Sequence, residues 1–258
     1  MGVILSSSSR RRAKRNKLIA ISAGVLLAIG GLGAVIASGV GRPAVPEVSS
    51  KVAEYYAQNT AVATPTKDTR PLAVFIGDSY TQGVGASASP NKWVEVLAAK
   101  SNLAYVNLGK GGTGYVSTSG PSGCGLSFCP AYKAMVQQGL AEKDAAYFIV
   151  SGGQNDFDDF KKDPAAVTAA IEDVYQTIRT GLPHVKIIAV GPSTPAGIDA
   201  VVLGLDKAVQ NAAAKVDATY VSLIDPPAFT PEMVAKDKAH VTDAGHAAIA
   251  ERVATALR

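Results

Sequence analysis

A parallel α/β domain is the expectation for this chain, because short apolar runs alternate with longer amphipathic ones from Pro71 to the C-terminus. In chain order, the apolar run 72–76 (Leu72, Ala73, Val74, Phe75, Ile76) reads as a strand and 92–100 as a helix. Strand 104–108, helix 131–141, strand 145–150, helix 164–180, strand 185–190, helix 199–215, strand 220–224 and helix 242–257 follow. Parallel strands need long right-handed crossovers, so these helices cover both faces of one five-stranded sheet. A second observation agrees. Open parallel sheets bind ligands outside the carboxyl ends of their strands, and the chemically informative residues fall there. Ser79 follows the first strand, the Gly-rich 109–114 the second, and Ser151, Gly152, Gly153, Gln154, Asn155 and Asp156 the third. A strand order 2-1-3-4-5 makes those loops neighbours.

What precedes the domain is different in kind. Residues 1–17 hold six basic side chains (Arg10, Arg11, Arg12, Lys14, Arg15, Lys17) and no acid. Of 25 Lys+Arg and 21 Asp+Glu, the remainder therefore keeps 19 against 21, and its net charge is near −2. The basic balance belongs to this tail, so no nucleic-acid partner is expected, since that would need basic residues on the folded surface. Residues 18–40 carry no charge in 23 positions. As a helix they span about 34 Å at about 1.5 Å per residue, enough for a hydrocarbon core of about 30 Å. The basic flank predicts a cytoplasmic tail, a transmembrane signal-anchor over 18–40 and an extracellular body. A signal peptide competes, because Val35, Ile36 and Ala37 resemble a cleavage site and cleavage would make the protein secreted. Residues 41–70, rich in Pro, Ala, Thr and Val, read as a linker with a helical turn or two, and the folded domain is expected over 71–258.

The only cysteines, Cys124 and Cys129, lie in a Gly/Ser/Pro-rich stretch of the translocated body. An oxidising compartment favours a disulfide, which brings about 2 kcal/mol in the chain-entropy model and braces the loop 111–130. Two cysteines without a third ligand make a poor zinc site.

Ser79 at a strand end, with Asp237 and His240 before the last helix, forms a chemical proposal: a serine hydroxyl needs a positioned base, and the base an orienting carboxylate. Acyl transfer also needs donors aimed at the oxyanion, and the N–H of Ser79, the N–H of Gly112 and the amide of Asn155 are candidates. The segments Gly77, Asp78, Ser79; Asn107 through Gly112; Gly153, Gln154, Asn155, Asp156; and Asp237, Lys238, Ala239, His240 resemble, in order and spacing, the four blocks of the SGNH or GDSL-type serine hydrolases. The resemblance covers 71–258. It implies a three-layer α/β/α sandwich, flavodoxin-like in its sheet, with Ser79 as nucleophile, Asp237 and His240 completing the triad, and Gly112 and Asn155 as oxyanion donors. Tyr80 departs from the Leu of the name-giving motif, and Gly109 competes with Gly112, whose distance from Asn107 fits the family pattern better.

Plainer readings stand beside these. Ser79 alone also fits a helix N-cap, and Asp78 a turn brace. His246 reads as a packed or solvated helix residue and His184 as a loop residue. Asp156, Asp158 and Asp159 lack calcium-loop spacing and read as a solvated acidic turn. The Gly-rich 109–114 lacks the Lys-Ser/Thr of a phosphate loop, and no Gly-x-Ser-x-Gly elbow occurs. The expected protein is a monomeric bacterial serine esterase or lipase using no cofactor and no metal, acting on a small-molecule, lipid or acylated-glycan ester. An acetyl or acyl esterase or transferase of cell-envelope glycans uses the same residues, and a non-catalytic glycan-binding domain is the third reading.

Overall fold

The computed structural model describes residues 51, 54, 68–195 and 197–258. The tail 1–17, the apolar 18–40 and most of the linker, with the anchor or signal-peptide expectations attached to them, lie outside the described residues. Lys51 and Glu54 are helical. Among the described residues no helix is long and apolar enough to cross a membrane.

Five strands, β1 (Leu72–Gly77), β2 (Ala104–Asn107), β3 (Ala145–Ser151), β4 (Lys186–Val190) and β5 (Thr219–Val221), form one parallel sheet in the order β2-β1-β3-β4-β5. Eight helices join and follow them among the described residues: α1 (Ser79–Gln82), α2 (Trp93–Ser101), α3 (Pro121–Cys124), α4 (Tyr132–Gly139), α5 (Phe157–Lys162), α6 (Pro164–Gly181), α7 (Ala200–Lys215) and α8 (Asp243–Ala256). Alternation along each central strand builds two cores. Ala73, Phe75, Ile149, Ile188 and Val190 face Trp93 and Leu97 of α2 and Ile249 and Val253 of α8. Val74, Ile76, Phe148, Val150, Ile187 and Ala189 face α4, α6 and α7. Strands buried on both faces read as continuous apolar runs, which is why the periodicity locates them.

Two departures matter for the site. The fifth strand ends at Val221, and Leu223 and Ile224 are buried in the loop beyond it instead. The short α3 and α5 have no counterpart in the sequence reading, because four to six residues hold too little periodic signal.

Candidate active site

β1 ends at Gly77 and α1 begins two residues later, so Ser79 sits at the first position of a helix and its N–H has no intrahelical acceptor. Asp78, not Ser79, is the N-cap: its Oδ1 accepts from the Tyr80 N–H at 2.9 Å. The serine hydroxyl is therefore free to face another group. That group is His240, whose Nε2 accepts from Ser79 Oγ at 2.8 Å. Nδ1 of the same ring donates to Asp237 Oδ2 at 2.6 Å, which fixes the tautomer with a lone pair on Nε2.

The turn that carries the base is built by its own carboxylate. Asp237 Oδ1 accepts from the N–H groups of Ala239 and His240, both at 3.0 Å, and Lys238 between them takes a left-handed φ of 60°. The His240 bond above all, then these two N–H groups, lowers the Asp237 carboxyl to about 2. It is therefore an anion at neutral pH. Tyr80 braces the turn from beneath, donating its hydroxyl to Ala239 O at 2.8 Å with its ring 5.5 Å from the imidazole. The Leu of the family motif could not make that bond. Burial raises the phenol well above its ordinary value, so the hydroxyl stays a donor.

The loop after β2 runs beside the nucleophile turn. Asn107 Nδ2 donates to Thr81 O at 2.7 Å, Lys110 N to Gly77 O at 2.9 Å and Gly111 N to Gln82 Oε1 at 2.7 Å. Gly109 N donates to Asn107 Oδ1 at 2.9 Å, which removes it as an oxyanion donor. Among the described residues the Gly112 N–H has no hydrogen-bond acceptor, which leaves it the candidate of the two glycines. Gly112 has φ 76°, a backbone conformation that favours glycine, and a Cβ there would stand 2.5 Å from Ser119 Oγ. Across the sheet Ser151 pairs with Gly77, which brings the loop after β3 alongside the same turn. Asn155 commits one amide hydrogen to Thr113 O at 2.8 Å and keeps the second.

Asp156 corrects the sequence reading. It is fully buried, and its carboxylate accepts from the N–H groups of Tyr115 at 2.7 Å, Ser117 at 2.9 Å and Val116 at 3.2 Å. A solvated acidic turn was expected because burial leaves no mark in a run of three acids. The carboxylate is the peg on which residues 115–117 hang, and Ser117 Oγ in turn donates to Asn155 O at 2.9 Å. His246 is buried and packed, with Nε2 at 3.0 Å from Val84 O. His184 is an exposed loop residue. Cys124 and Cys129 are joined in a disulfide.

A cavity of about 270 Å³ opens between the loops after β4 and β5, lined by Thr194, Pro195, Ile198, Leu223 and Phe229 among others. Phe229 ties it to the relay, with its ring 6.4 Å from that of Tyr80. A wider concavity of about 780 Å³ lies at the opposite ends of the strands, by Lys186 and Thr219. Its Arg179 already donates to the carbonyls of Val216, Pro183 and Val185, so it is a structural arginine.

The model of the GDSL-like Lipase/Acylhydrolase family matches residues 75–248, from β1 through α8. A GDSL lipase of Mycobacterium tuberculosis is 28% identical over 193 residues, covering 71% of this chain and 80% of the lipase. The crystal structure of TesA superposes with a TM-score of 0.58 at 18% identity, covering 72% of this chain and 98% of that one. A carbohydrate acetylesterase from Sinorhizobium meliloti gives a TM-score of 0.56 at 13% identity, covering 73% and 98%. The chain belongs to the GDSL-like lipase/acylhydrolase family, and is an SGNH/GDSL-type hydrolase acting on ester bonds.

Proposed function

We propose that the protein hydrolyses carboxylic esters through an acyl-enzyme on Ser79, outside the cytoplasmic membrane. The observation that carries this reading is the relay Ser79 Oγ, His240 Nε2 at 2.8 Å, His240 Nδ1 and Asp237 Oδ2 at 2.6 Å. Ser79 Oγ attacks the acyl carbonyl while His240 Nε2 takes its proton, and Asp237 stabilises the resulting imidazolium. The N–H groups of Ser79 and Gly112 and the amide of Asn155 receive the oxyanion. Collapse of the tetrahedral intermediate expels the alcohol, which leaves with the proton from His240. Water then repeats the sequence on the acyl-enzyme and releases the acid. The cavity beside Phe229 holds about 270 Å³, just below the usual range of ligand pockets at about 300–1,000 Å³, which supports an acyl group of short to medium length.

A second reading has its own support. The carbohydrate acetylesterase that shares the fold suggests an acetylated envelope glycan as substrate, and a sugar hydroxyl replacing water would make the same residues a transferase. Hydrolysis of aryl esters from acetyl to long-chain acyl by the full-length protein, beside Ser79→Ala, tests both. We expect turnover that peaks at short or medium chains and falls by about 10³-fold or more in the variant. Turnover retained by Ser79→Ala overturns the serine mechanism. Turnover on acetylated glycans alone, lost in the variant, selects the second reading.

A further inference from the structure

The Ser79–His240 bond joins residues 161 positions apart, so its length depends on how two distant segments dock. The first segment is the loop that leaves α1. Gly83 ends the helix at φ 97°, and Val84 N donates back to Ser79 O at 2.8 Å. The second is the start of α8, three residues beyond His240. An acid in the first turn of a helix ordinarily serves the free N–H groups of its own helix. Asp243 does not. Its Oδ1 accepts from the Ser87 N–H at 2.7 Å, and its Oδ2 from Ser87 Oγ at 2.5 Å and Asn91 Nδ2 at 2.9 Å. All three donors belong to the loop from α1, more than 150 positions away. Asn91 Nδ2 also lies 3.0 Å from Ser87 Oγ, which orients the hydroxyl toward the carboxylate.

Two further contacts hold the same pair of segments. Val84 O faces His246 Nε2 at 3.0 Å. Gly85 has φ 96°, and a Cβ there would stand 2.2 Å from Val241 O, the carbonyl next to His240. The two segments are thus in van der Waals register immediately beside the base. We propose that Asp243 is a positioning residue for the reaction, a clasp that holds the segment bearing His240 at the distance at which Nε2 meets Ser79 Oγ. It touches no reacting atom. The helix behind it does not need the clasp to stay folded, because Ile249, Ala250 and Val253 are fully buried in the core shared with Trp93 and Leu97 of α2. Loss of the clasp therefore loosens one end of α8 and leaves the other packed.

The inference rests on the serine mechanism proposed above, and two readouts separate the two. Full-length wild type, Ser79→Ala, Asp243→Ala, Asp243→Asn, Asn91→Ala and the double variant Asp243→Ala/Asn91→Ala are compared in aryl acetate turnover and in the rate at which a fluorophosphonate labels Ser79. Labelling reports the Ser79–His240 pair together with the oxyanion donors and needs no matching acyl chain. Small misplacements of reacting groups cost up to about 10²-fold. We expect Asp243→Ala to lower kcat and the labelling rate together by about tenfold, with KM within about twofold. Asp243→Asn, which keeps an acceptor for the Ser87 N–H, should recover part of that loss. The double variant should be little worse than Asp243→Ala, because both changes open one clasp. Asp243→Ala that labels and turns over like wild type overturns the clasp and leaves the mechanism standing, as does a change in KM alone. Wild type that neither turns over nor labels at Ser79 overturns the mechanism and the clasp with it. Asn91→Ala, which keeps the carboxylate and both Ser87 bonds, supplies a milder variant should Asp243→Ala fail to fold, and its kcat and labelling rate must fall in proportion.

Discussion

Asp78 is fully buried beside Ser79, and burial pushes its carboxyl from 3.8 up to about 7, with Asp156 adding in the same direction. The unfolded chain releases that proton near the ordinary value. Between the two values the native state holds a proton that the unfolded state has lost, so the contribution of Asp78 is complete below about pH 4 and is lost as the pH rises through about 7. Asp78→Asn keeps an oxygen for the Tyr80 N–H and cannot ionise. It should match wild type near pH 4 and exceed it at pH 8 by an amount on the order of a few kcal/mol, measured as urea midpoints. A gap that stays constant with pH would sink the argument. Asp237 has the opposite sign. Its lowered carboxyl contributes above about pH 4, and the contribution is lost as the pH falls through about 2. Both acids stand in recognisable blocks, yet only residue type and order are visible in a sequence. Ser79, Gly112, Asn155, Asp237 and His240 stand out as candidates because each proposed role demands a particular side chain or none. Asp156 was misread because its role depends on being buried among three N–H groups.

The strap that carries the disulfide leans directly on the oxyanion loop. A Cβ on Gly111 would stand 2.4 Å from Gly123 O, and one on Gly112 would stand 2.5 Å from Ser119 Oγ, so nothing separates the two stretches. Ser119 and Cys129 exchange backbone hydrogen bonds at 2.9 and 2.8 Å, and Cys124 and Cys129 close the strap at a sequence separation of 5. Replacing both cysteines by serine leaves those backbone bonds in place and frees the tip. Closing so short a loop is worth about 2 kcal/mol by chain entropy, so the loss of stability should not exceed that. We expect kcat to fall several-fold as the Gly112 N–H loses its fixed direction, with each lost oxyanion donor capping the effect at about 10²–10³. Unchanged kcat in the double-serine protein would leave the bridge with a stabilising role only. The strap as a cysteine-braced loop was legible in the sequence, and its contact with Gly112 was not, because α3 is four residues long and its partners are glycines.

Sheet order and layer arrangement were readable across the whole domain, because chain order, right-handed crossovers and strands buried on both faces leave few parallel topologies open. The clasp between Asp243 and the loop from α1 was not, since nothing local links residues more than 150 positions apart. The charge of the whole chain divides it differently from the fold. All six basic residues of the first seventeen precede the uncharged 18–40, whereas the rest of the protein is slightly acidic. A basic flank on one side of an apolar stretch orients it with that flank in the cytoplasm, and 23 uncharged positions exceed the usual signal-peptide core of about 7–15 residues. The disulfide fits a catalytic domain on the oxidising side. Expressed in a bacterial cell, the full chain should stay with the membrane after alkaline carbonate extraction and be cut from intact spheroplasts by added protease, releasing a fragment that retains esterase activity. On the proposed topology, replacing Arg10, Arg11, Arg12, Lys14, Arg15 and Lys17 by neutral residues should reduce that surface-accessible fraction. Release of an active chain beginning near Ser38 into the medium would show instead that Val35, Ile36 and Ala37 mark a cleavage site, and protection of the domain from protease would show that the tail does not orient it.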